Sequence, residues 1–170
     1  MSKIRGLYLF CLALLVITGC QDRLTKKTQI TSGVTVLLPD KFEKADTSDG
    51  QIMYTSKIGK TTFRVFVFKD IGLDTIGLDK VKDGMKFNVT RFVEPINGKI
   101  VKREDLTIGK IVQSDFEFEI PNSPGSKHGA GRFVVKGSEF IGFIYETVSP
   151  ETSSMKNLRE SFFNSIQIDQ

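Results

Sequence analysis

Side chains that commonly carry chemistry are scarce in this sequence. It has no tryptophan, one histidine (His128) and two cysteines (Cys11 and Cys20) in 170 residues. One histidine excludes metal sites built from several imidazoles and leaves any histidine-based triad dependent on that residue. Two cysteines near the start offer no disulfide framework to the 150 residues that follow Cys20, so that part must be stabilised by an ordinary core. Long apolar runs are missing too. The longest, residues 7–17 (LYLFCLALLVI), falls short of the roughly 20 residues a membrane-spanning helix needs, and no stop-transfer segment follows it. The basic and acidic side chains, 24 and 20, are interspersed rather than clustered, which argues against a nucleic-acid-binding face.

What is present at the start is a cationic head, with Lys3 and Arg5, followed directly by that short apolar run, which is the pattern of an export signal. Ile17-Thr18-Gly19-Cys20 then resembles the bacterial lipobox. The resemblance implies cleavage before Cys20, a diacylglyceryl thioether on its sulfur, and acylation of the new α-amine with a fatty acid such as palmitate. Two or three acyl chains at about 0.8 kcal/mol per buried methylene suffice for stable anchoring, whereas one is marginal. Cys11 leaves with the signal and Cys20 is consumed as the lipid site. Gln21 resembles the residue that lets lipoproteins proceed to the outer membrane. The expected organisation is a signal peptide over 1–19, a lipidated polar tether over 20–31 (Gln21 to Thr31, QDRLTKKTQIT), and one domain over 32–170. Loss of residues 1–19 from 170 leaves 151 and lowers the formal charge from +4 to +2.

The domain reads as strands and two helices. Residues 33–38 (GVTVLL) before Pro39-Asp40, 51–57 after Asp49-Gly50, and 61–69 are strands bounded by turn residues. In 61–69, Phe63, Val65 and Val67 share one face and Phe66 and Phe68 the other, which predicts a central strand covered on both sides. Over 76–92, Leu78, Val81, Met85, Val89 and Phe92 are spaced 3, 4, 4 and 3, a helical stripe. Gly84 weakens that helix by about 1 kcal/mol relative to alanine. Glu94-Pro95 ends it and Asn97-Gly98 turns the chain back to strands at 100–106 and 110–120. Residues 132–136 and 139–148 add two more. Ser149-Pro150-Glu151 predicts a helix start, with Met155, Leu158, Phe162 and Ile166 as its apolar stripe.

The run 115–120 alternates strictly, with Asp115, Glu117 and Glu119 on one face. Antiparallel pairing with Arg132–Lys136 that sets Glu119 opposite Arg132 and Asp115 opposite Lys136 matches both charges. Alternate strand residues project in a row about 7 Å apart, so these carboxylates read as a solvated face rather than a cation site. The stretch 121–131 (PNSPGSKHGAG), which holds His128, reads as a long glycine-rich loop; its spacing fits neither phosphate-binding nor dinucleotide-binding patterns.

Val36-Leu37-Leu38-Pro39, the two-faced strand Phe63 to Phe68, the apolar strand Phe140 to Tyr145, and Phe162-Phe163-Asn164-Ser165-Ile166 together resemble the PsbP-like and DcrB-like superfamily across nearly the whole domain. The resemblance implies an α+β fold, an antiparallel sheet between helices in an α/β/α sandwich. Members of that superfamily are largely non-enzymatic, and none of their functional residues transfers to this chain. The expectation is therefore a lipid-anchored envelope lipoprotein, directed to the outer membrane and not an enzyme. Its one site is Cys20, with no catalytic residue, metal or cofactor. It binds the membrane through that lipid and an envelope protein through a sheet edge or the loop 121–131. The alternative is a carrier of a small ligand in a Phe-lined pocket between helix and sheet. A third reading, a hydrolase, needs a Ser or Thr beside His128.

Overall fold

Alternation of apolar and polar side chains dominates this chain, and the computed structural model, which describes residues 23–46, 51–69, 75–121 and 126–169, converts it into ten strands. They are β1 (Leu24–Thr31), β2 (Val34–Pro39), β3 (Glu43–Asp46), β4 (Gln51–Ile58), β5 (Thr61–Phe68), β6 (Lys99–Ile108), β7 (Ile111–Ile120), β8 (Lys127–Lys136), β9 (Glu139–Val148) and β10 (Gln167–Ile168). Helix α1 (Leu78–Val93) and a short 3-10 turn (Glu94–Ile96) separate β5 from β6, and α2 (Ser153–Asn164) follows β9. Seven strands form one antiparallel sheet in the order β3-β4-β5-β9-β8-β7-β6, and β1-β2-β10 form a second, smaller one. The expected lipobox and Cys20 lie outside the described residues. Among the described residues no helix is long and apolar enough to cross a membrane.

The large sheet is covered on both faces. One face carries α1 over Phe116, Phe118, Phe133 and Ile144. The other carries the small sheet and α2, which bury Ile30, Val34, Val36, Leu38 and Phe162 against Phe63, Val65, Ile141 and Phe143. This is the expected α+β sandwich, with part of one helical layer replaced by strands. The central strand is β9, buried along eight of its ten residues; β5 lies beside it and alternates between buried and half-buried positions.

Four local expectations are corrected. Residues 24–31 are no tether: they form β1, paired antiparallel with β2, because Thr28, Ile30 and Thr31 supply an inward face that the lysines obscure. The glycine-rich stretch does not run as a loop to residue 131: its last five residues, 127–131, lie inside β8. Here β7 and β8 do pair, but Asp115 faces Arg132 and Glu119 faces His128, a register four residues from the charge-matched one. The glycines decide it. Phe116 pairs with Gly131 and Phe118 with Gly129, and a Cβ on either glycine would overlap the ring lying across it. Finally, α2 begins at Ser153. The Ser149 N–H still donates to the Ser126 carbonyl at 2.6 Å, in continuation of the sheet, and Thr152 is the cap, its hydroxyl accepting from the Met155 N–H.

Candidate functional site

A seven-stranded sheet is about 29 Å wide at the usual strand spacing, whereas one helix with its side chains is about 10 Å across, so α1 cannot cover its face alone. It packs mainly over β7. What remains between α1 and the β5-β9-β8 side is an open groove of about 420 Å³. Its floor is aromatic: Phe66 and Phe68 from β5, Phe133 from β8 and Phe140 from β9, with Phe92 from α1 beside them. The rings hold one another edge-on. Phe133 lies 5.1 Å from Phe140, 5.6 Å from Phe92 and 5.8 Å from Phe66 between centroids, the spacing at which edge-to-face pairs attract. Gly142, opposite Phe66 on β9, leaves room for that ring to lie flat across the central strand.

The helical wall has a gap built into it. Val81, Met85, Val89 and Val93 are buried beneath α1. Gly84, one position before Met85, also lines the groove, and a side chain there would meet nothing within 4 Å. Lys80, Asn88 and Arg91 supply the polar lining, and among the described residues no carboxylate lines the groove. The Arg91 guanidinium stands 5.4 Å from the Phe87 ring, which is itself 59% exposed.

The opposite face holds a second cleft, of about 410 Å³, between α2 and β6-β7-β8. It is charged, and its two arginines are paired. Arg132 donates to both oxygens of Asp115 at 2.8 Å and to the Phe163 carbonyl at 3.2 Å. Arg159 meets Glu117 and Glu151 at 3.3 Å each. His128 is not in a loop: it projects from β8 with its Nε2 3.2 Å from Arg159 and 3.8 Å from Glu117. No described hydroxyl hydrogen-bonds to it. The acidic row of β7 thus faces α2, and only Glu119 is exposed. Asp115 and Glu117 are held by arginines, and among the described residues no cluster of three or more metal-ligating side chains forms. Nearby, the buried Tyr145 hydroxyl donates to the Met155 carbonyl at 3.0 Å. Burial raises its pKa well above the ordinary phenol value, and Glu151 adds to the rise.

At the sheet edge, β6 exposes Val101, Leu106 and Ile108. Arg103 grips Asp105 with two hydrogen bonds of 2.9 and 2.7 Å. Burial pushes the Asp105 carboxyl up, but hydrogen bonds from Arg103 and Ser114 and the charges of Arg103 and Lys86 outweigh it and hold the pKa below its usual value. A register shift between Ile100 and Lys102 interrupts this edge, and charges and bulges of this kind discourage pairing with another strand.

The sequence raised a Phe-lined pocket between helix and sheet as an alternative, but not which phenylalanines line it, nor Gly84 as the opening. Its one usable signal was a glycine inside an otherwise periodic helix face.

The fold defined by these layers is the PsbP-like α+β fold. Among solved structures, the chain is similar to cyanobacterial PsbP (CyanoP) from Synechocystis sp. PCC 6803, at 15% identity and a TM-score of 0.59, over 85% of this chain and 92% of that one. It is also similar to the Ran-binding protein Mog1p of Saccharomyces cerevisiae, at 10% identity and 0.56, over 86% and 96%. LpqN of Mycobacterium tuberculosis, described as involved in cell envelope biogenesis, matches at 14% and 0.51, over 85% and 91%. No family model matches the chain, and no curated protein matches it in sequence. At such identities the likeness establishes the fold alone.

Proposed function

We propose that this chain is a lipid-anchored protein of the cell envelope, held on a membrane through acyl groups on Cys20, that works by binding rather than catalysis. The lipobox supports the anchor, and the envelope role of LpqN, which shares the fold, supports the address. Binding is favoured over catalysis because both arginines of the charged cleft are held by carboxylates and His128 faces Arg159 instead of a nucleophile. The observation that carries the reading is the Phe-lined groove. Its volume lies in the range of small-molecule sites, and it is apolar with a few polar groups at its lining, as such sites are. Of the two binding modes the sequence raised, the small-ligand carrier gains most from it.

Two experiments test the proposal. Cys20→Ala should release the protein from membranes or leave it unprocessed; normal cleavage with unchanged membrane retention refutes the anchor. Organic extraction of the purified protein should yield an apolar molecule in near-stoichiometric amount, and Gly84→Phe, which fills the groove, should purify without it. Equal recovery from both proteins refutes the groove as the site.

A second reading, docking of an envelope protein along β6, is favoured by the exposed Val101, Leu106 and Ile108. A photo-crosslinker at Val101 should then give one discrete adduct in cells that Ile108→Lys abolishes; no adduct, or one indifferent to Ile108→Lys, refutes it.

A further inference from the structure

The groove has a chemical character beyond being apolar. Its floor is rings and aliphatic side chains, while the polar groups that line it are Asn88 and two cations, Lys80 and Arg91. Among the described residues neither cation has an ion-pair partner. Arg91 rests on the Phe87 ring instead. The acids that do stand on α1 belong to its other side: Asp79 pairs with Lys82 at 3.9 Å, and Asp83 lines a separate pocket with Lys86. Lys80 and Arg91 are eleven residues apart, or about 16 Å along the helix, so the apolar channel between them is elongated rather than round.

Gly84 lies on the groove side of α1, four residues beyond Lys80 and four before Asn88. A glycine there costs helix stability, and no backbone conformation calls for it, since the residue is helical and the space at its Cβ is empty. What it does is keep the channel open between the two cations.

We infer that the groove holds a single-chain anionic amphiphile, a fatty-acid-like molecule. Its alkyl chain lies over Phe66, Phe133 and Phe140, and its carboxylate is drawn to Lys80 or Arg91. This inference rests on the groove being a ligand site and adds the sign of the head group and the shape of the tail. The occupant is an exchangeable molecule taken from the surroundings, not the acyl groups proposed for Cys20. The described chain enters at β1, in the layer on the opposite face of the large sheet.

The test uses the full chain in phosphatidylcholine vesicles, labelled with diazirine-bearing palmitate and, in parallel, diazirine-bearing hexadecanol. Crosslinks to palmitate should map to peptides of α1, β5, β8 and β9 and be competed by unlabelled palmitate at roughly micromolar concentration. Gly84→Phe should cut labelling roughly tenfold while the circular-dichroism melting temperature is kept or raised. Palmitate should outcompete hexadecanol by roughly two- to fivefold, an advantage that Lys80→Gln/Arg91→Gln removes. Equal competition by the two amphiphiles overturns the anionic head group and leaves the groove reading intact. Labelling scattered over the surface, or untouched by Gly84→Phe, overturns the groove as the ligand site. Labelling that appears only after Cys20→Ala assigns the groove to the chain's own lipid and overturns an exchangeable ligand.

Discussion

Gly131 is the position where the register of the sheet can be tested by one methyl group. It faces Phe116 across the β7-β8 ladder, and an added Cβ would overlap the far edge of that ring. The ring has nowhere to go. Phe116 is 2% exposed and lies 4.8 Å from Phe133 and 6.1 Å from Phe92 between centroids. Overpacking of this kind costs about 1–3 kcal/mol, whereas replacing glycine by alanine inside a strand recovers about 0.5–1 kcal/mol. The net expectation for Gly131→Ala is a loss of about 1–2 kcal/mol, or roughly 2–8 °C in melting temperature for a chain of this size. Circular dichroism is the convenient probe, since the protein has no tryptophan. The cause is isolated by a double-mutant cycle with Phe116→Leu, in which the penalty of Gly131→Ala should shrink and give a coupling of about 1–2 kcal/mol. Neutral or stabilising behaviour of Gly131→Ala, or strict additivity in the cycle, would show that the ring does not lie over the glycine. The four-residue change of register would then be wrong.

Other expectations follow from the same geometry. Gly84→Ala, at an open helical position, should stabilise the protein by about 0.5–1 kcal/mol in urea unfolding, and a loss of stability would mean that the wall is closed there. Tyr145 is raised above its ordinary value of 10.0, so the folded state favours the neutral phenol. Its contribution is complete below pH 10.0 and is lost as the pH rises from there toward the folded pKa, and Tyr145→Phe should flatten that alkaline limb while costing about 1 kcal/mol at neutral pH through the hydrogen bond to Met155. An alkaline limb that is the same in both proteins refutes the assignment. For the two-pronged pair, Asp115→Asn with Arg132→Lys should show a coupling of about 1 kcal/mol in a thermal double-mutant cycle, since the pair is only partly buried; zero coupling would make it a solvated pair without effect.

Much of the fold was legible in the sequence because its signals are periodic. The spacing of three and four residues through Leu78, Val81, Met85 and Val89, and through Met155, Leu158, Phe162 and Ile166, marks both helices, and the alternation around Phe63 and Phe116 marks sheet. What escaped was local composition overruled by tertiary contacts. The stretch around His128 looks like a loop because glycine is rare in strands, yet there the glycines make room for Phe116 and Phe118. β1 resembles a tether because its lysines face outward, and only pairing with β2 gives Thr28 and Ile30 an inside. Asp115 and Glu117 read as a solvated face because their partners differ in kind: Arg132 lies in the sheet at an unexpected register, and Arg159 arrives from a helix distant in sequence. The groove was raised as an alternative from the number of phenylalanines. Its position depends on how little of the sheet one helix can cover, which periodicity does not report.

The central claim, a ligand site between α1 and the aromatic floor, is tested most directly by methyl-resolved nuclear magnetic resonance during titration with palmitate. The methyl groups of Val81, Met85 and Val135, which line the groove, should shift in a saturable way, while those of Val34, Val36 and Ile141 in the opposite core stay in place. Unchanged groove methyls, or shifts confined to the opposite core or to Val101 and Leu106 on the sheet edge, would contradict it.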